Sequence, residues 1–209
     1  MSKNLAPTPN SGIMDISPYV VGKSASSAGI SIKLSSNESR LGASPKAQEA
    51  YLQAVKTLHK YPDGRAKKLR TAIAEVHNLP EEQLVCGAGS DELIGLLVNG
   101  YVSAGDEVII TEYGFLMYKI YAMGAGAKVV VAPEKNTEKN LTVDVDAILE
   151  RVTEKTKIVF IANPANPTGT YIPASELKRL HAGLPKNVIL AIDDAYCEYA
   201  DAPDYSDGS

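Results

Sequence analysis

The sequence predicts an α/β protein in which a mainly parallel sheet carries helices on both faces, a three-layer α/β/α arrangement. Two observations support this prediction. Four short segments rich in β-branched residues occupy the second half of the chain, and stretches with apolar residues at helical spacing separate them. Because such an alternation joins neighbouring strands through helices, we expect the strands to run parallel and to be buried on both faces.

The first elements are helical and follow an extended segment. Residues 1–43 are rich in Ser, Pro, Asn and Gly and lack periodicity, so we expect an N-terminal arm without a core of its own. Residues 44–209 then form the predicted large domain. Its first helix begins at Pro45 behind a Ser cap, a second covers about 66–76 after YPDG and stops at Asn78, and a third begins at Ser90.

Strands and helices alternate in the rest of the chain. The predicted strands are 108–111, 128–132, 157–162 and 188–193, each a short run of mainly apolar residues. Helices are predicted between them at about 115–124, 143–152 and 175–184. These elements complete the parallel α/β pattern.

Composition limits the classes of function. The 209 residues are 44% hydrophobic without an apolar run near the roughly 18 to 20 residues of a membrane span. The net charge of -4, with basic residues scattered along the chain, argues against a nucleic-acid surface. Cys86 and Cys197 lack metal-ligand spacing, and the amino terminus lacks the apolar core of a signal peptide. We therefore expect a soluble cytoplasmic protein that binds no metal, nucleic acid or membrane.

Polar segments follow the predicted strands at the edge where parallel sheets bind ligands. Asp193 ends an apolar strand, where a carboxylate is costly to bury unless a cation or hydrogen bonds compensate it. A protonated ring nitrogen would be such a partner, and a turn cap is the alternative. Near Cys86, Gly87 and Gly89 permit a tight turn before Ser90, where helical N–H groups suit a phosphate. The same residues also fit an ordinary Ser-capped helix.

Two motifs together carry a resemblance to a known family. NPANPTGT (163–170), followed 27 residues after Asn166 by Asp193-Asp194-Ala195-Tyr196, resembles the paired signatures of the fold-type I pyridoxal-phosphate aminotransferases. More narrowly, five further segments resemble the histidinol-phosphate aminotransferases in order and spacing: ISPYVVGKS (16–24), KLSSNES (33–39), YPDG (61–64), CGAGSDEL (86–93) and YGFLMY (113–118). The resemblance covers essentially the whole chain and implies the large domain of a fold-type I enzyme.

The resemblance implies pyridoxal 5'-phosphate as the cofactor and assigns residues to it. Asp193 corresponds to the aspartate that pairs with the ring nitrogen, and Phe115 to the aromatic ring that stacks on the pyridine, although a core Phe is the alternative. A homodimer is implied because one of the phosphate ligands comes from the neighbouring subunit. The remaining implied contacts are Asn166 and Tyr196 with the phenolic oxygen, Gly89, Ser90 and Asp91 with the phosphate, Tyr61 with the phosphate of the neighbouring subunit, and Tyr19 and Asn37 with substrate.

The two Asn-Pro pairs fit the same predicted cofactor site. Pro164 and Pro167 have no N–H to donate, so they end the strand ladder, and we expect the rigid turn to direct the Asn166 side chain toward the crevice. A Pro-rich loop that merely ends a strand is the alternative.

The chain also departs from the family. Asn37-Glu38-Ser39-Arg40 stands where the family has Asn-Glu-Asn-Pro, and Asp194 replaces a Glu. The family's lysine that holds the cofactor lies in a Ser-Lys-x-x-Gly-Leu-like segment a few tens of residues beyond the D-E-A-Y signature, and no lysine of this chain has that setting. We therefore expect an amino-terminal part of an enzyme, without a catalytic residue of its own, without the C-terminal small domain and inactive by itself.

For the intact enzyme the resemblance implies transamination between histidinol phosphate and 2-oxoglutarate, a step of histidine biosynthesis. Two enzymes of the same fold are alternatives, an aromatic amino acid aminotransferase and a phosphothreonine decarboxylase. A non-catalytic fragment that binds cofactor or a partner is a further alternative.

Overall fold

The computed structural model describes residues 9–18, 36–137 and 140–208. The chain divides into two compact units. One, here called the sheet unit, comprises Met1–Ser17 and Gly87–Ser209, and the other, the helical unit, comprises Pro18–Cys86. Six helices are described: α1 Pro45–Ala54, α2 Lys67–His77, α3 Gly89–Tyr101, α4 Leu116–Gly124, α5 Val145–Leu149 and α6 Ala174–Gly183.

Six strands are described as well. They are β1 Glu107–Thr111, β2 Lys128–Ala132, β3 Lys135–Thr137, β4 Asn140–Thr142, β5 Thr156–Ala162 and β6 Ile189–Asp193. The four predicted strands and six predicted helices are confirmed, although α5 is only five residues long. The antiparallel hairpin β3–β4 was not predicted. Short 3-10 helices lie at Ile13–Asp15, Val55–Thr57, Glu81–Gln83 and Cys197–Tyr199.

The sheet unit is organised by a four-stranded sheet in the order β2-β1-β5-β6, with every neighbouring pair parallel. Strand side chains alternate between its two faces. On one face Ile109, Val159 and Ile161 pack with α5 and α6. On the other face Val108 and Phe160, with their strand neighbours, pack with α3 and α4. The predicted three-layer α/β/α arrangement is confirmed.

The expectation that all four strands are buried on both faces is wrong for two of them. The side chains of β1 are all buried and those of β5 nearly all, whereas every residue of β6 is only partly buried and Val131 of β2 is 45% exposed. The cause is position, since β2 and β6 are the outermost strands of the described sheet and each pairs with a single neighbour.

Part of the predicted arm packs onto the sheet unit. Residues 11–15 lie against the end of α4, where a Cβ on Gly12 would come within 2.6 Å of the Met123 carbonyl oxygen. Gly12 also has a φ of 89°, a left-handed conformation that favours glycine. A side chain at this position would therefore push the arm off the helix.

The helical unit is built from locally capped helices. The Ser44 hydroxyl accepts the Ala47 N–H at 3.1 Å, and Asn78 ends α2 in the left-handed conformation typical of a helix end. Residues 36–86 include no buried side chain, and Leu58 is 73% exposed. In the parts of the chain that the structure describes, no helix has the length and apolar character needed to cross a membrane.

Candidate functional site

The strand order places a topological switch point between β1 and β5, and the sheet edge at the carboxyl ends of these strands is here called the crevice. From β1 the chain continues through α4 to β2, whereas from β5 it continues through α6, on the opposite face, to β6. The loops that leave the carboxyl ends of β1 and β5 therefore diverge, which is where open parallel sheets bind ligands. Phe115 follows β1, Asn166 follows β5 and Asp193 is the last residue of β6.

Asp193 is held at this edge by two donors. It is paired in register with Ala162 of β5 and is partly buried. Its Oδ2 accepts a hydrogen bond from the Tyr118 hydroxyl at 2.8 Å, and its Oδ1 accepts the Ala195 N–H at 3.3 Å. The longer contact is the turn cap considered as an alternative role. The shorter contact comes from a residue 75 positions away, which a turn cap does not require.

Tyr118 was missed by the sequence analysis. Its side chain is fully buried, stacks on Phe160 with ring centroids 4.8 Å apart, and meets the Phe115 ring edge-on at 5.7 Å. Burial, together with the neighbouring Asp193 carboxylate, raises the pKa of the Tyr118 phenol above its usual range. The hydroxyl therefore stays protonated and donates to Asp193. The sequence did contain one signal for Tyr118. It lies three residues after Phe115, a spacing that places two side chains on the same face of a helix.

Asn163, the first residue of the NPANPTGT motif, connects three segments around the crevice. The side chain is buried, with its Oδ1 accepting the Ile172 N–H at 2.9 Å and its Nδ2 donating to the Ser206 carbonyl at 3.2 Å. Its backbone N–H donates to the Asp193 carbonyl at 2.9 Å, and its carbonyl accepts the Tyr205 hydroxyl at 2.8 Å. One residue thus anchors the loop after β5 to the end of β6.

The loop after β5 closes on itself and carries Asn166. The Ala165 N–H donates to the Thr170 carbonyl at 2.7 Å, so the intervening residues form a tight turn. Pro164 and Pro167 each follow a cis peptide bond, and β5 ends at the residue before Asn163 as predicted. The Asn166 side chain is partly buried. Its predicted direction toward the crevice stays a prediction.

The start of α3 differs from the Ser-capped alternative. The helix begins at Gly89, which has a φ of 79°, and its cap residue is Ala88, which makes no side-chain cap. The Glu92 carboxylate instead accepts the Ala88 N–H at 2.5 Å. Ser90 lies inside the first turn and is exposed. The Ser-capped interpretation is therefore wrong, because the helix starts before the serine.

Asp91 joins α3 to α4. Its Oδ2 accepts the Tyr121 hydroxyl at 3.0 Å, a hydrogen bond that raises the pKa of the Tyr121 phenol. The two helices approach closely at Gly95, where a Cβ would lie only 2.9 Å from the Tyr121 ring. Asp91 therefore helps to fix the helix whose first turn was predicted to bind phosphate.

The other predicted site residues are less constrained. Tyr196 precedes the last 3-10 helix of the sheet unit, with its ring 6.3 Å from that of Tyr199. Within the helical unit, the Tyr61 side chain is fully exposed, and Asn37 adopts a left-handed φ of 51°. Tyr19 lies outside the described residues. No group of three or more His, Cys, Asp or Glu suited to a metal ion occurs where the structure describes the chain.

A parallel α/β/α sheet with a carboxylate, an amide and an aromatic ring around its switch point has the architecture of the fold-type I transferases. Residues 30–207 match the family of class I and II aminotransferases, and the chain belongs to that family.

Curated relatives of this chain belong to a narrower group within the family. The chain is 51% identical to the histidinol-phosphate aminotransferase of Rhodospirillum rubrum, covering 100% of this chain and 56% of that protein. It is also 51% identical to the enzyme of the same name from Rhodopseudomonas palustris, covering 97% of this chain and 55% of that protein. The chain therefore spans a little over half the length of these curated relatives.

Solved structures give the same result at the level of the fold. The histidinol-phosphate aminotransferase of Sinorhizobium meliloti in complex with pyridoxal-5'-phosphate has a TM-score of 0.75 at 30% identity, covering 81% of this chain and 45% of that one. A putative histidinol-phosphate aminotransferase from Erwinia carotovora also has a TM-score of 0.75 at 30% identity, with 82% and 49% covered.

Proposed function

We propose that this chain is the cofactor-binding part of a pyridoxal-phosphate-dependent aminotransferase that exchanges an amino group between histidinol phosphate and 2-oxoglutarate. The observation that carries the proposal is the Asp193 carboxylate at the carboxyl end of β6, held by the Tyr118 hydroxyl at 2.8 Å beside the loop that carries Asn166. The choice of substrate is supported by 51% identity over the whole chain to an enzyme of that name.

The side chains present fit the cofactor. A carboxylate has about four lone-pair sites. Each of the two oxygens of Asp193 accepts one hydrogen bond from the described residues, so lone pairs are left for a protonated ring nitrogen. Phe115 stands at the cap of α4 with its ring fixed edge-on by Tyr118. The first turn of α3 lacks a side-chain cap, which favours an anion there, although the Glu92 carboxylate already occupies the Ala88 N–H.

Each proposed contact has a definite physical role. Bound pyridoxal phosphate supplies an electron-withdrawing ring that stabilises negative charge developing on the substrate. The negative charge of Asp193 holds the proton on the ring nitrogen. Asn166 and Tyr196 donate to the phenolic oxygen, and the backbone N–H groups near Gly89, Ser90 and Asp91 bind the phosphate, while Phe115 covers one face of the ring.

The remaining functions are proposed for two places. One is the helical unit, and the other is the part of the relatives' length that this chain does not span. We place the cofactor-bearing lysine in that part. Tyr61, whose side chain is fully exposed, reaches the phosphate of a second copy in a homodimer. Asn37 and Tyr19 contact the substrate. We also propose that the enzyme acts in the cytoplasm.

The role of Asp193 is tested by Asp193→Asn in the full-length enzyme. This substitution keeps the shape and removes the charge, so kcat should fall by about 10² to 10³-fold, the effect of losing one preorganised electrostatic group. Asp204→Asn is the matched control, because Asp204 also accepts a tyrosine hydroxyl, that of Tyr171 at 2.7 Å, and is not among the residues proposed to contact the cofactor. Normal turnover in the Asp193 variant would exclude the assignment.

The choice of substrate is tested separately. We expect kcat/KM with histidinol phosphate to exceed the values with phenylalanine and tyrosine, because relatives 51% identical carry that name. An aromatic aminotransferase from Pyrococcus horikoshii shares the fold at a TM-score of 0.65 and 25% identity. A preference for aromatic amino acids, or release of carbon dioxide from phosphothreonine, would favour the alternatives instead.

A further inference from the structure

One side chain behind the crevice touches both groups proposed to fix the pyridine ring. The Tyr118 hydroxyl donates to Asp193 Oδ2 at 2.8 Å, and the edge of the Tyr118 ring packs against Phe115 with centroids 5.7 Å apart. We propose that Tyr118 is a positioning residue that fixes the orientation of the Asp193 carboxylate and of the Phe115 ring together. This proposal rests on the proposed function, in which Asp193 meets the ring nitrogen and Phe115 its face.

Tyr118 itself has little freedom to move. Its side chain is fully buried and lies parallel to Phe160 of β5, with an interplanar angle of 4°. The ring stands at 86° to Phe115. Because close-packed aromatic side chains stay in one rotamer, the hydroxyl is presented to Asp193 in a fixed direction. The carboxylate at the exposed edge of the sheet thus takes its orientation from the buried core.

The hydrogen bond also fixes the direction in which the carboxylate faces. The Tyr118 hydroxyl holds Oδ2 at 2.8 Å, and the longer contact from Ala195 N–H, at 3.3 Å, holds Oδ1. With both oxygens held, the carboxylate would be presented to a bound ring nitrogen in one orientation, as a charge-assisted hydrogen bond requires. Without the hydroxyl, the carboxylate would be free to turn, and its contact with the ring N–H would weaken.

Two substitutions separate the effects of the hydroxyl and the ring. Tyr118→Phe removes the hydrogen bond and keeps both aromatic contacts, whereas Tyr118→Leu removes the hydrogen bond and the support of Phe115. Tyr171→Phe is the matched control, since it deletes a tyrosine hydroxyl that donates to Asp204 at 2.7 Å, and neither residue is among those proposed to contact the cofactor.

The experiment uses the full-length enzyme loaded with pyridoxal phosphate that is labelled with ¹⁵N in the ring. In Tyr118→Phe the ring ¹⁵N resonance should move toward the value of the unprotonated pyridine, and kcat should fall roughly 10- to 100-fold, as expected for one lost hydrogen bond to a charged group. Cofactor affinity, measured by equilibrium dialysis, should change little in Tyr118→Phe and weaken by about tenfold or more in Tyr118→Leu, which loses aromatic packing. Tyr171→Phe should match the parent enzyme in all three measurements.

Asp193→Asn serves as the reference that keeps the two proposals distinguishable. If Asp193→Asn moves the ¹⁵N resonance and Tyr118→Phe leaves it unchanged, the inference about Tyr118 is overturned and the role of Asp193 stands. If neither substitution moves the resonance, the role of Asp193 fails, and with it the inference. Because Tyr118→Phe preserves the packing, its result holds even where Tyr118→Leu does not fold.

Discussion

The sheet unit and the helical unit are stabilised in different ways. In the sheet unit Val108 and Ile109 are fully buried on opposite faces of β1, against residues distant in sequence. In the helical unit Leu58 is 73% exposed, and the side chains of α2 find polar partners nearby: Thr71 and Lys67 both contact the Glu81 carboxylate. One unit depends on long-range apolar burial and the other on local hydrogen bonds and ion pairs.

This difference explains where the preorganised part of the site lies. Asp193 and Phe115 are both in contact with Tyr118, which is buried in the sheet unit. Asn37 and Tyr61 belong to the helical unit and are exposed there. The two groups proposed to hold the cofactor ring are therefore carried by the core of the sheet unit, which resists displacement because it is close-packed. Substitutions should accordingly have unequal effects in the two units.

The largest difference is expected for apolar truncations. Phe160→Ala removes a side chain that is 2% exposed and stacked on Tyr118, so the free energy of unfolding should fall by about 3 to 5 kcal/mol. Leu58→Ala in the helical unit should change it by no more than about 0.5 kcal/mol, because the side chain is already in water. Urea denaturation followed by circular dichroism measures both. Equal losses would contradict the comparison.

A smaller loss is expected from a buried polar anchor. Asn163→Ala leaves the N–H of Ile172, itself a buried residue, without its side-chain acceptor, which should cost about 1 to 3 kcal/mol of unfolding free energy. The same substitution releases the loop that carries Asn166, so cofactor affinity should weaken as well. Asn166→Ala is the useful comparison, because it should weaken cofactor binding with little effect on the urea midpoint. If both variants unfold alike, Asn163 is not the anchor.

Next comes an ion pair between buried Glu107 and exposed Lys128, whose effect depends on pH. Glu107 is 5% exposed, and hydrogen bonds from Lys128 at 2.8 Å and Thr153 at 2.6 Å hold its pKa below the ordinary value of 4.5. A lowered folded-state pKa means that the ionised group stabilises the protein above the unfolded pKa and loses this contribution as pH falls through the folded pKa. Glu107→Gln should therefore destabilise by about 1.5 kcal/mol at pH 7 and by less below pH 4.

The measurement is the urea midpoint of parent and variant at pH 7 and at pH 3.5. Glu75→Gln is the control, since Glu75 lies exposed on α2 and should shift neither midpoint appreciably. A Glu107→Gln deficit that is independent of pH would show that the ionised carboxylate is not the stabilising form.

The smallest effect is expected at a helix cap in the helical unit. Ser44→Ala deletes the acceptor of the Ala47 N–H and should cost about 0.5 to 1 kcal/mol, expressed as fraying of α1. Amide hydrogen exchange should quicken in the first turn of α1 and stay unchanged in β1 and β5. Ser44→Asp, which keeps an oxygen acceptor at the cap, should restore the parent exchange rates. A change that spreads into the strands would mean that the two units unfold together.

Much of the fold could be predicted because it follows from local patterns. The strands VIIT and KIVFIA and the amphipathic helices between them are specified by periodicity, which needs no knowledge of their neighbours. The β3–β4 hairpin was missed because EKNTEKNLT has too few apolar residues to produce a strand signal. The edge positions of β2 and β6 were also missed, since β-branched composition does not reveal how many neighbours a strand has.

Some residues of the candidate site could likewise be predicted from local sequence, and others could not. Asp193 could be singled out because a carboxylate at the end of an apolar strand is anomalous by itself. Tyr118 and Asn163 could not, because one reads as an ordinary core aromatic and the other as a loop residue. Their importance arises from contacts made across 75 and 43 positions of sequence, with Asp193 and Ser206 respectively.

The sequence by itself determined which segments become strands and helices, and which polar residues stand at strand ends, because backbone periodicity and the cost of burying charge act locally. Tertiary structure alone decided the strand order that opens the crevice between β1 and β5, and the burial that turns Tyr118 into a donor for Asp193. The physical reason is that pairing and packing join residues far apart in the chain, so their partners are fixed only when the layers assemble.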